Sequence, residues 1–219
     1  MTVRRFASIA ACAAAIVLAS SSGVRAESYA GFRGGINYAK FTTSDVDYAE
    51  ITGVDSISGL ATDRRLGFSG GAFIGVDYGK GLGFRLDLVY VQKGGMDNDT
   101  TSVDLDYLEL ATLFVYRYKL SERYTLRAFA GPVVGLWINA ELDLGPYDKD
   151  LGEVIEHWEF SGTIGAEFDM TAGPYVLLLE ARYTKGTPVF KSVGLEGQPI
   201  NIDAANSGIS VMTGVAVPF

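Results

Sequence analysis

The stretch Ile209–Phe219 reads ISVMTGVAVPF. Ile209, Val211, Val215, Val217 and Phe219 occupy alternate positions, with Ser210 and Gly214 among those between. A period of two belongs to an extended strand with one apolar and one polar face. The same alternation returns in seven stretches upstream. Eight such strands are enough to close a sheet on itself.

The seven other stretches are 29–39, 65–78, 82–93, 103–118, 124–142, 157–170 and 175–184, and the last strand spans 206–219. The pattern is clearest in 82–93, where Leu82, Phe84, Leu86, Leu88 and Tyr90 oppose Arg85, Asp87 and Lys93. In 65–78, Leu66, Phe68, Ala72, Ile74, Val76 and Tyr78 oppose Arg65, Ser69 and Asp77. In 175–184, Leu177, Leu179, Ala181 and Tyr183 oppose Glu180 and Arg182. Pro132 interrupts the fifth strand and predicts a bulge or an unbonded position there. The connections alternate in length. Gly79-Lys80-Gly81 and Lys119–Arg123 make short turns, whereas 40–63, 94–102, 143–155 and 186–205 are longer.

A soluble barrel alternates too, but with its apolar set inside. Three features reverse that orientation here. Tyr78, Phe84, Tyr118, Tyr124, Phe168, Tyr175 and Phe219 fall at the short-turn ends of their strands, and Tyr38, Phe68, Tyr90, Trp158 and Tyr183 toward the loop ends. Two aromatic belts around an aliphatic band mark the two interfaces of a bilayer. The opposite face carries Arg33, Arg65, Arg85, Lys93, Arg117, Arg127 and Arg182 against Asp77, Asp87, Glu109, Glu141, Glu159, Glu167, Asp169 and Glu180. That near-balance suits mutual pairing inside a narrow tube. The third feature is an export signal: Arg4 and Arg5, the apolar run 6–20, and Val24-Arg25-Ala26 before a cleavage point. The expected organisation is a signal peptide over 1–26 and a barrel over 27–219. The fold class is all-β, an eight-stranded antiparallel up-and-down transmembrane barrel. Its setting is the bacterial outer membrane, with the short turns on the periplasmic side. Closure follows from the solvent, because lipid cannot satisfy the backbone groups of an open sheet edge.

Composition removes several functions. Without Arg4, Arg5 and Arg25 the net charge moves from −8 to −11, which disfavours nucleic acid as a partner. Cys12, the single cysteine, lies in the signal, so the mature chain has no disulfide or thiolate ligand. No cofactor or metal motif is present. Strand glycines such as Gly35, Gly75 and Gly165 are expected to make room for large lumen neighbours and to allow curvature.

Several segments resemble one family. They are GFRGGINYA (31–39), LDLVYVQKG (86–94), DYLEL (106–110), AGP (130–132) and LEARY (179–183). Together, in this order and spacing, they are similar to the bacterial outer-membrane β-barrel domain family that includes PorT-like proteins, and to OmpA-like small barrels. Ala111 stands where such proteins often carry proline. The resemblance implies a membrane barrel and no single activity.

The expected function is non-enzymatic. A charge network of Arg33, Arg65, Asp77, Arg85, Asp87, Glu109, Arg117, Arg127, Glu141, Glu167, Glu180 and Arg182 fills the lumen. The protein then acts structurally or through its loops. One alternative is a narrow channel or solute-binding, porin-like barrel. A second is a lipid hydrolase built on His157, the only histidine, with Ser161 and Glu159 on the same strand. The expected partners are outer-membrane lipid and lipopolysaccharide, the barrel-assembly machinery and periplasmic chaperones, around a monomer. Carboxylates in the loops could bridge to lipopolysaccharide through divalent cations. Phe219 is the expected assembly signal. Deleting it should lower the yield of heat-modifiable, membrane-inserted protein; an unchanged yield would refute the role.

Overall fold

The computed structural model describes residues 26–43, 63–97, 101–143, 148–150, 158–186, 193–195, 198–200 and 204–219. Side chains are described for 26–40, 65–78, 80–93, 106–138, 158–186 and 206–219. Residues 1–25 of the expected signal peptide, His157, and the loop acids Asp45, Asp47, Glu50, Asp55, Glu196 and Asp203 lie outside these residues. Eight long strands dominate: β1 (Glu27–Thr43), β2 (Asp63–Asp77), β3 (Leu82–Asp97), β4 (Thr101–Lys119), β5 (Tyr124–Asp143), β6 (Trp158–Ala172), β7 (Tyr175–Gly186) and β8 (Ala204–Pro218). Each pairs antiparallel with its sequence neighbours, and β1 pairs with β8. The sheet therefore closes. Asp148–Asp150 adds a short strand to β5, and Val193–Leu195 pairs with Gln198–Ile200.

The short turns are built from local chemistry. Lys80 and Gly81 take positive φ values of 70° and 83° between β2 and β3. Between β4 and β5, the Ser121 hydroxyl accepts from the backbone N–H of Arg123 and of Tyr124. Gly173, at φ 64°, turns β6 into β7. Beyond β8, the Phe219 N–H donates to the Ser28 carbonyl at 2.9 Å while its ring stays exposed.

The alternation read from the sequence is the inside–outside division of the wall. Phe32, Ile36, Leu66, Phe114, Leu126, Ile164, Leu179 and Val211 are exposed. Arg33, Arg85, Glu109, Arg127, Glu167 and Glu180, on alternate positions of the same strands, are buried. An exterior of aliphatic and aromatic side chains around a charged interior is stable only where hydrocarbon surrounds it. Described outward Tyr and Trp residues, apart from Tyr90 midway along β3, keep toward the strand ends. Phe32, level with Ala72 and Val215, departs from the two-belt pattern, as a ring with no polar tip can.

One local expectation changes, and another resolves between its two alternatives. The segment 94–102 is largely strand, with Gly94 paired to Asp104 and Asp97 to Thr101, so that hairpin extends past the membrane band. At Pro132 the unbonded position holds and not the bulge: Ala111↔Val133 and Phe114↔Ala130 keep one register on either side of it. The ladder to β4 is merely interrupted, because proline has no N–H to give. The shift falls instead between Tyr107↔Trp137 and Asp106↔Asn139, leaving Ile138 as the extra residue.

Candidate functional site: the lumen ion network

The inward positions of β1, β3, β6 and β7 meet at mid-barrel. Arg85 on β3 is fully buried. Its Nε lies 2.9 Å from Asp87 Oδ1, its Nη1 2.7 Å from Glu167 Oε2, and its Nη2 2.7 Å from Glu180 Oε2. Strands β3 and β7 are four apart in an eight-stranded ring. The Arg85–Glu180 bond therefore spans the bore. Arg33 on β1 pairs with Asp87 and with Glu180. Arg182 on β7 donates to Asp87 Oδ2 at 2.9 Å and pairs with Glu180 Oε1 at 2.6 Å. Three guanidiniums and three carboxylates thus share one layer.

A second layer lies toward the short turns. Arg127 pairs with Asp169, with Glu167 Oε1 at 3.3 Å and with Asp77 Oδ2 at 3.1 Å. Arg117 reaches Asp77 Oδ2 at 3.1 Å and Glu27 Oε2 at 2.7 Å. Glu27 sits at the water-exposed mouth. The Arg117 hydrogen bond, and then its charge, hold the Glu27 carboxyl below the usual carboxylate range. A lowered folded-state value stabilises at neutral pH and is lost as pH falls through it. A third layer lies toward the loops. Lys93 on β3 bridges Glu109 at 2.6 Å and Glu159 at 2.7 Å, and Asn206 and Ser161 donate to Glu159 as well.

Ten of the twelve residues expected in the network are thereby brought together. Arg65 lies on β2 opposite Ala39, half-buried at the loop end. The side chain of Glu141 is outside the described residues. Its backbone lies beyond the Ile138 bulge and pairs with Asp104, a shift of one position relative to the lumen-facing row. Lys93, Glu159, Asp169 and Glu27, the last not expected from the sequence, complete the layers.

The sequence reading left out the aromatic filling. Phe73, Phe129, Tyr29 and Tyr107 also face inward and are buried. The Arg85 guanidinium carbon lies 4.6 Å from the Phe129 ring centre and 5.5 Å from that of Phe73. Arg33 lies 5.0 Å from Phe73, Arg127 4.6 Å from Tyr29, and the Lys93 ammonium 4.7 Å from Tyr107. Each ring presents its negative face to a cation that water no longer hydrates. One wall is apolar, with Leu113, Val115, Phe129 and Val133 packed together. The rings have space because glycine lies across from them: Tyr29↔Gly75, Phe73↔Gly31 and Phe129↔Gly165 are register pairs. A Cβ on Gly75 would stand 2.4 Å from Tyr29, and one on Gly165 2.4 Å from Phe129. An aromatic at an inward position was a usable signal in the sequence; the glycine opposite it shows only with the strand register.

Among the described residues, open space lies on both sides of the central layer. A cavity of about 270 Å³ opens at the short-turn mouth, between Glu27, Arg117, Lys119 and Asp169. On the loop side, about 10 Å³ remains between Asn37, Ser69, Lys93 and Asn206, roughly the room of one water. For the hydrolase alternative, Ser161 Oγ donates to Glu159 Oε1 at 2.8 Å, but that carboxylate is already engaged by Lys93 and Asn206. Among the described residues no cluster of His, Cys, Asp and Glu is arranged to hold a metal.

A closed barrel with ionic contents and a lipophilic exterior defines a small integral protein of the bacterial outer membrane. The chain belongs to the outer membrane protein beta-barrel domain family, which matches residues 20–186. Similar solved structures include Neisserial surface protein A, at 16% identity and TM-score 0.46, covering 86% of this chain and 97% of that one. The attachment invasion locus protein Ail of Yersinia pestis gives 15% and 0.43, covering 88% and 99%. OprG from Pseudomonas aeruginosa gives 13% and 0.47, covering 88% and 96%. No curated protein matches the sequence.

Proposed function

We propose that this protein is a non-conducting, non-enzymatic outer-membrane barrel that acts through its external loops or by supporting the envelope. One observation carries the reading: Arg33, Arg85 and Arg182 are bonded to Asp87, Glu167 and Glu180 across the full bore. An ion passing this layer would have to part paired charges at side chains shut off from solvent, at a cost of several kcal/mol. The partners are outer-leaflet lipid and lipopolysaccharide, with the assembly machinery and periplasmic chaperones needed only for insertion. The barrel is monomeric in this reading.

Planar-bilayer recording of the purified protein tests the proposal. The expected result is no steady conductance. A large and stable current through the wild-type barrel would overturn it in favour of the narrow channel.

A further inference from the structure

The outward residues of β1, β8 and β7 line up at the loop end of the wall. The registers Lys40↔Ser207 and Ser207↔Lys185 set two lysines on either side of one serine in a single row. One step deeper, Tyr38↔Ile209 and Ile209↔Tyr183 set two tyrosines on either side of one isoleucine. Val211, with Ile36 and Ala181 beside it, continues the apolar wall below. Tyr38, Ile209, Tyr183 and Lys185 are exposed, and Lys40 and Ser207 are half-exposed. Neighbouring strands lie about 4.8 Å apart, so the two lysine Cα atoms stand roughly 10 Å from each other. Two lysine side chains at that spacing are long enough to reach one anion beside Ser207.

From this arrangement we infer that Lys40, Ser207 and Lys185 form a binding site for a phosphate group on the sugar headgroup of an outer-leaflet glycolipid. Tyr38 and Tyr183 lie at the headgroup level, where amphipathic rings settle. The acyl chains run down the wall past Ile36 and Val211. Charge selects the sector. Across the barrel, the loop end of β3 and β4 presents Gln92 paired with Asp106, which does not attract phosphate. No carboxylate among the described residues forms a salt bridge with either lysine. The site rests on the preceding reading, because it needs the long loops to face the outer leaflet.

The test uses the full mature barrel in phosphatidylcholine nanodiscs, titrated with fluorescent diphosphoryl lipid A. The Lys40→Gln/Lys185→Gln double variant is expected to bind about thirtyfold more weakly, given the usual attraction per lysine near an anionic surface. Lys80→Gln, in the short turn at the opposite rim, is expected to bind as wild type. Dephosphorylated lipid A is expected to lose the same factor on the wild-type barrel. Equal affinity of the double variant, or equal binding of the dephosphorylated lipid, would overturn the site. A loss in Lys80→Gln would place the site at the wrong rim. Heat-modifiable mobility is read in every sample. A wild type without it would refute the barrel reading itself, which is a different failure from a folded barrel that ignores lipid A.

Discussion

Arg85→Met is expected to destabilise the folded barrel by about 3–5 kcal/mol, the usual cost of removing one partner from a buried ion pair. Its guanidinium is the common donor to Asp87, Glu167 and Glu180 and lies beside two aromatic rings. Methionine fills much of the volume but leaves those carboxylates with too few cations in a dry interior. Arg33, Arg127 and Arg182 keep their own bonds and cannot reach every oxygen that is freed. Arg85→Lys is expected to recover only part of the loss, since one ammonium cannot reproduce the planar fork. Urea unfolding from lipid vesicles, followed by band shift, provides the measurement. A loss below about 1 kcal/mol for Arg85→Met would mean that the network does not hold the interior together.

Gly165→Val should cost about 2–3 kcal/mol, or block assembly, by overpacking. The Cβ alone would stand 2.4 Å from Phe129 Cζ and 2.6 Å from the Ala181 carbonyl oxygen. The ring cannot swing far, because Arg85 and Arg182 lie beside it and Leu113 and Val133 pack nearby. Adding Phe129→Leu should recover part of the loss by removing the ring, while the backbone oxygen still resists. Coupling of about 1 kcal/mol in a double-mutant cycle is the expected reading. Strict additivity would show that the glycine is not making room for the ring.

The two variants probe features of different legibility. The presence of Arg85 in the lumen was readable, because it alternates with Phe84 and Leu86 on one strand. Its partners were not, since Glu167 and Glu180 lie 82 and 95 residues away in the chain. Phe129 looked like any aromatic within a strand. Its place over Gly165 required the β5–β6 register. Of the two readings of Pro132, the unbonded position holds, because its missing N–H interrupts a ladder without adding a residue, and the bulge at Ile138 carries no sequence mark. Glu141 sits beyond that bulge, where counting by twos from Arg127 no longer tracks the pairing.

The sequence by itself determined which side of the wall most residues occupy, and through that the barrel, its polarity and its membrane. Side-chain direction in a strand is a local property, fixed by alternate Cβ vectors. Tertiary structure alone decided which charges meet, which rings cover which glycines and where the lysines align on the outer face. Those outcomes depend on the stagger between strands. Stagger is set by closure of the whole ring and by the turns that join it, so no single strand encodes it.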